Sequence, residues 1–153
     1  MLNLLATSFS TLGVGFAPKA PGTVGSVLAG FLWWYFYGFM GMEAILIVFF
    51  LGWLATHYYE KLNNRHDPKE VIIDEVAGLW ITLYMAPPKL SILLFGFLLF
   101  RLFDIWKPFP VGLIDRKVPG ALGTMLDDVA AGVMGWICLQ ISVTVMERYG
   151  IFL

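Results

Sequence analysis

Five apolar stretches, at about 24–40, 43–59, 71–86, 90–106 and 128–147, alternate with short polar breaks along the chain. Each runs roughly 16 to 20 residues, enough to cross a hydrocarbon core of about 30 Å at 1.5 Å per helical residue. Turn chemistry marks the breaks. Gly38 and Gly41 flank the first, Pro87-Pro88 tightens the third, and Pro108, Pro110 and Pro119 are expected to keep the fourth out of helix. Residues 1–15 carry no Lys or Arg, so the positive start of a cleavable signal peptide is missing. That segment is expected to form a short interfacial helix, on the bilayer surface or against the bundle. The pattern predicts an all-α integral membrane bundle of about five transmembrane helices, built as a single membrane-embedded domain over 1–153.

Composition supports this class over a soluble one: 59% of residues are hydrophobic and 14% charged, against roughly 25% charged in an average soluble domain. A net charge of -1 gives no basic field, so nucleic acid is not an expected partner. Cys138 is the single cysteine, which rules out an internal disulfide and a cysteine-rich zinc site. Cation placement orients the bundle. With the N-terminus inside, the inner side holds Lys19, Lys61, Arg65, Lys69, Lys107, Arg116 and Lys117, and the outer side Lys89 and Arg148. That asymmetry predicts a cytoplasmic N-terminus and an external C-terminus. Trp33-Trp34-Tyr35-Phe36-Tyr37, near the outer end of the first span, fits an interfacial aromatic belt.

Polar chemistry collects at four span ends, all on the predicted cytoplasmic face. Pro21-Gly22-Thr23-Val24-Gly25-Ser26 precedes a helix, where glycines admit close approach and free N–H groups attract an anion; a simple cap by Thr23 or Ser26 is the plainer account. Asp67, Pro68 and Glu70 fit a helix-start pattern, with Asp67 as cap. Asp74 and Glu75 are expected almost two turns further in, beyond capping reach, where burying a carboxylate in a membrane costs about 2.5–3.5 kcal/mol. Arg101, Asp104 and Lys107 are spaced to share one helix face, offering cations to phosphate and a carboxylate to a metal, or an internal salt bridge. Thr124 and Asp127 resemble a capping box at the start of the last span, which leaves Asp128 unexplained. Ala130, Ala131, Gly132 and Gly135 behind it would let another helix come close. Carboxylates from three helices suit a hard divalent cation such as Mg²⁺, and the nearby cations suit a transferring phosphoryl group. Together they point to an enzyme acting on a phosphorylated lipid.

Four signatures resemble the phosphatidylglycerophosphatase A family of Mg²⁺-dependent bacterial membrane enzymes. They are Pro18-Lys19-Ala20-Pro21-Gly22-Thr23-Val24-Gly25-Ser26; Asp67-Pro68 followed by Val71-Ile72-Ile73-Asp74-Glu75-Val76-Ala77-Gly78; Phe100-Arg101-Leu102-Phe103-Asp104-Ile105-Trp106-Lys107-Pro108-Phe109-Pro110; and Gly123-Thr124-Met125-Leu126-Asp127-Asp128-Val129-Ala130-Ala131-Gly132. One departure is Ala121, where a second glycine would follow Gly120. The resemblance implies hydrolysis of phosphatidylglycerol phosphate to phosphatidylglycerol and inorganic phosphate, at the cytoplasmic side of a bacterial inner membrane. Its expected site comprises Asp74, Glu75, Asp104, Asp127 and Asp128 as metal ligands, with Glu75, Asp104 and Asp128 catalytic. Lys19, Gly22, Thr23, Gly25, Ser26, Arg101 and Lys107 would hold the phosphate, and Asp67 and Thr124 would support or cap. A small ion-coupled transporter using intramembrane carboxylates is the alternative, but it would spread polar groups toward the midplane and show repeats. A CDP-alcohol phosphotransferase would need an Asp-Gly-x2-Ala-Arg motif that is absent. Oligomeric state stays open.

Overall fold

The computed structural model describes residues 2–65 and 68–150, and every regular element among them is helical. The helices are α1 (Leu2–Thr11), α2 (Pro21–Tyr35), α3 (Met42–Asn63), α4 (Ile73–Thr82), α5 (Leu90–Trp106), α6 (Val111–Lys117) and α7 (Gly120–Arg148). Single turns of 3₁₀ helix at Val14–Phe16 and Tyr37–Phe39 flank α2.

Short α4 is the centre of the molecule, packed against α2, α3, α5 and α7. Eight of its ten residues are buried, Asp74 among them. Two glycines bring α7 against it. A Cβ on Gly132 would overlap the Gly78 carbonyl, and one on Gly78 would come within 2.7 Å of the Asp128 carbonyl. Backbones this close leave room for Thr82 to place its hydroxyl 3.2 Å from the carbonyls of both Gly78 and Gly132. Gly135 meets the same threonine, so the small residues after Asp128 do pack against a neighbouring helix. The Trp80 indole N–H donates to the Ala29 carbonyl and ties α4 to α2. At the far end, Trp136 and Gln140 both donate to the Tyr84 carbonyl.

Several boundaries differ from the sequence expectation. Only α3 and α7, among the described residues, are long and apolar enough to cross a membrane by length and composition. The stretch 71–86 contributes a helix of ten residues, about 15 Å long. Its start is delayed because 68–72 runs as a strap, held by the Ile72 N–H bonding the Ser10 carbonyl at 2.9 Å. Asp74 and Glu75 therefore lie in the first turn of α4, not two turns inside. In the 24–40 stretch the α-helix ends at Tyr35, with only a 3₁₀ turn at Tyr37–Phe39 beyond it. Trp33 is buried in the core, so the outward aromatic group is Trp34, Tyr35, Phe36 and Tyr37. The fourth connection contains α6, because Pro110 stands at its N-cap, where a proline costs no intrahelical bond. α7 begins at Gly120, which puts Thr124 and Asp127 inside the helix and away from its cap.

Candidate functional site

Asp74 and Glu75 open α4, and the close α4–α7 crossing brings Asp128 to them. Carboxylate oxygens of Asp74, Glu75 and Asp128 lie within 4.8 Å of one another. Asp74 and Asp128 are buried, and local bonds orient the acidic pairs: Asp74 Oδ1 accepts the Glu75 N–H and Asp127 Oδ1 accepts the Asp128 N–H, each at 3.0 Å. Glu75 Oε2 and Asp128 Oδ2 are buried with no hydrogen-bond partner. Two unsatisfied carboxylate oxygens in one acidic cluster are costly without a cation. An all-oxygen donor set of this kind fits a hard divalent metal ion.

Cations and a helix start complete the surround. Arg101, one turn from the end of α5, donates from Nη1 to Asp104 Oδ2 at 2.5 Å, while its Nε is buried and unpartnered. Asp104 is in turn a charged neighbour of both Glu75 and Asp128. Gly22 sits in the first turn of α2 directly beside them. A Cβ there would run into Glu75 Oε1 and lie 3.4 Å from Arg101 Nη1. The first intrahelical bond of α2 joins the Val24 N–H to the Ala20 carbonyl, so the N–H groups of Gly22 and Thr23 are left for water or an anion. A pocket of about 230 Å³ opens here, lined by Pro21, Gly22, Pro68, Lys69, Val71, Asp74 and Glu75.

The expected site residues thus divide. Asp74, Glu75, Asp128, Arg101, Asp104 and Gly22 come together, with Thr23 in the same helical turn as Gly22. Lys107 turns elsewhere, bonding Asp115 at 2.5 Å and Asp127 at 2.7 Å. Gly25 lies within α2, where a Cβ would press on Ile72, and the Ser26 hydroxyl donates to the Gly22 carbonyl. Lys19 is exposed in the loop before α2. Thr124 is buried one turn before Asp128, its hydroxyl unpartnered. Asp67 lies outside the described residues. Sequence reasoning misses the places of Lys69 and Asp115. The chain marks Lys69 only as a cytoplasmic cation, and Asp115 sits in a segment not expected to be helical.

The family model described as phosphatidylglycerophosphatase A matches residues 7–143. The chain belongs to that family. The match takes in the first turns of α2 and α4, the end of α5 and the start of α7, all the elements that build the cluster. A relative from Escherichia coli named phosphatidylglycerophosphatase A is 38% identical over 86% of this chain and 77% of its own length. A second of that name, from Haemophilus influenzae, is 36% identical over 86% of this chain and 82% of its own length. A protein from Bacteroides thetaiotaomicron, provisionally named phosphatidylinositol-3-phosphatase, is 35% identical over 91% of both chains. No solved structure matches this family member.

Proposed function

We propose that this protein is a Mg²⁺-dependent phosphatidylglycerophosphatase, removing the terminal phosphate of phosphatidylglycerol phosphate at the cytoplasmic face of a bacterial inner membrane. The observation that carries the reading is the junction of Asp74, Glu75 and Asp128 with Arg101 and the start of α2, in a chain of the phosphatidylglycerophosphatase A family. The bundle sits in the bilayer with about five crossings, the short α4 sheltered among α2, α3, α5 and α7. Its carboxylate end faces the cytoplasm, a reading the cation asymmetry supports.

Asp74, Glu75 and Asp128 would hold Mg²⁺, which when bound supplies charge neutralisation to the phosphoryl group. The chain does the rest. Arg101, fixed by Asp104, binds phosphate oxygens, aided by the N–H groups of Gly22 and Thr23, by Lys69 at the mouth and by Lys19 in the loop before α2. Glu75 Oε2 accepts a proton from water as the water oxygen bonds to phosphorus. The bond from phosphorus to the glycerol oxygen breaks, that oxygen takes up the proton accepted by Glu75, and the acyl chains stay in the membrane. Lys107 holds Asp127, and with it the start of α7, in position for Asp128.

The test is phosphate release from phosphatidylglycerol phosphate by the purified protein in detergent, with Mg²⁺ and with a chelator. Metal-dependent release is expected, with Asp104→Asn and Asp128→Asn each at least about 100-fold slower and unchanged in circular dichroism. Near-normal rates in both variants would sink the site assignment. The Bacteroides relative favours a second reading, a phosphomonoester on an inositol headgroup. Release from phosphatidylinositol 3-phosphate at a higher kcat/KM would establish it instead.

A further inference from the structure

We infer that the apolar cleft between α2 and α5 binds one acyl chain of the lipid substrate, and so contributes to selection for a membrane-resident phosphomonoester. The inference rests on the phosphatase reading and deepens it. The cleft has a volume of about 510 Å³, and Ser26, Gly30 and Trp34 of α2 line it opposite Leu90, Leu94 and Phe97 of α5.

Its position follows from helical spacing. Gly22, Ser26 and Gly30 succeed one another at intervals of four residues, so one face of α2 runs from the phosphate end into the cleft. On α5, Leu90, Leu94 and Phe97 occupy the face that reaches Arg101 one turn later. The two faces converge at the site, where a Cβ on Gly22 would lie 3.4 Å from Arg101 Nη1. A molecule with its phosphate at Arg101 and Gly22 therefore has an apolar channel starting one helical turn away.

The length fits a single leaflet. From Ser26 to Trp34 is eight residues, about 12 Å along α2. Half of a hydrocarbon core is about 15 Å. The glycine at position 30 keeps the floor low: a Cβ there would meet Leu93 at 3.3 Å. Val27 and Leu94 stand at the rim with 59% and 54% of their surface exposed, so the cleft opens sideways toward lipid. Another cleft, of about 330 Å³, is as apolar but lies between α1 and α3, two helices that contribute no residue to the site.

Val27→Trp and Leu94→Trp narrow the cleft without touching the carboxylates, and Leu98→Trp, exposed on α5 outside the cleft, controls for added bulk. Phosphate release is compared for phosphatidylglycerol phosphate with eighteen-carbon chains and with six-carbon chains. The two cleft variants are expected to lose about tenfold in kcat/KM on the long-chain lipid, a loss equal to roughly two buried methylenes. Their rates on the six-carbon analogue, and Leu98→Trp on both substrates, should stay at wild-type values. A long-chain lipid carrying a mid-chain diazirine should label Phe97 or Val27 on irradiation. Wild-type rates in both cleft variants, with label scattered over outward helix faces, would assign the cleft to bulk lipid and overturn the inference. A detergent dimer that Val27→Trp dissociates would assign the cleft to a second copy and overturn it as well. If the wild type releases no phosphate from either lipid yet the cleft is labelled, the phosphatase reading fails and the chain site stands.

Discussion

Lys107 lies one residue past α5 with a left-handed backbone, φ 46°, and this decides what its ammonium can touch. A helical wheel continued from Arg101 and Asp104 would bring it round to their face. The helix stops at Trp106, and the side chain instead bridges Asp115 of α6 and Asp127 of α7. Burial alone would lower its pKa, but the hydrogen bonds and charges of both carboxylates outweigh it and hold the ammonium above the ordinary lysine value. A raised folded-state value means that the stabilisation is complete below the unfolded value, about 10.4. It is lost only as pH rises through the folded one. The difference in Tm between the wild type and Lys107→Gln is therefore expected to stay constant from about pH 6 to 9. A difference that closes within that window in thermal melts would refute the ion-pair account. Asp74 and Glu75 were legible as candidates from the cost of a carboxylate in an apolar run, and Asp128 because capping left it unexplained. A shared metal site was expected of them, but the α4–α7 crossing that brings them together was not legible, because it joins residues fifty positions apart.

That crossing belongs to the element scale. α4 and α7 approach through Gly78 and Gly132 so closely that Thr82 reaches carbonyls on both helices. The small-residue run after Asp128 was visible in the chain; its partner was not, since Gly78 looks like one glycine in an apolar segment. Gly132→Leu is expected to destabilise the fold by about 1–3 kcal/mol through overpacking. It should also slow phosphate release disproportionately, because Asp128 leaves Asp74 and Glu75. Thermal melts and rates on the same preparation check this, and a variant with reduced Tm but wild-type turnover would separate the crossing from the site. The start of α4 shows a second limit of sequence reasoning. Pro68 and Glu70 carry helix-start chemistry, yet the Ile72 N–H is committed to Ser10 across the fold. A tertiary bond outweighed a local pattern there, just as Pro110 began α6 where a loop was expected.

For the whole molecule, the polar groups cluster where α2, α4 and α7 begin and α5 ends. The sequence pattern carried that one-sidedness well, because charge placement survives errors in helix length. It overstated the regularity of the bundle: a ten-residue helix surrounded by four others needs no crossing length of its own, and hydropathy does not distinguish burial in protein from burial in lipid. Sidedness is open to direct measurement. In a Cys138→Ser background, Lys69→Cys should react with a membrane-impermeant maleimide in inverted vesicles and remain unmodified in right-side-out ones. The reverse pattern would turn the molecule over.

A side-opening cleft between α2 and α5 that takes one acyl chain, as inferred above, would receive its substrate from within the substrate's own leaflet. Encounter is then a search in two dimensions, and the relevant concentration is the number of substrate molecules per unit of membrane area. Diluting the lipid phosphate with inert detergent at fixed bulk concentration should slow turnover in proportion to its mole fraction. Diluting the whole suspension at fixed mole fraction should leave the rate per enzyme unchanged. A cell containing such an enzyme would control flux by crowding or thinning the substrate in its membrane, with no change in how much of it the cell contains.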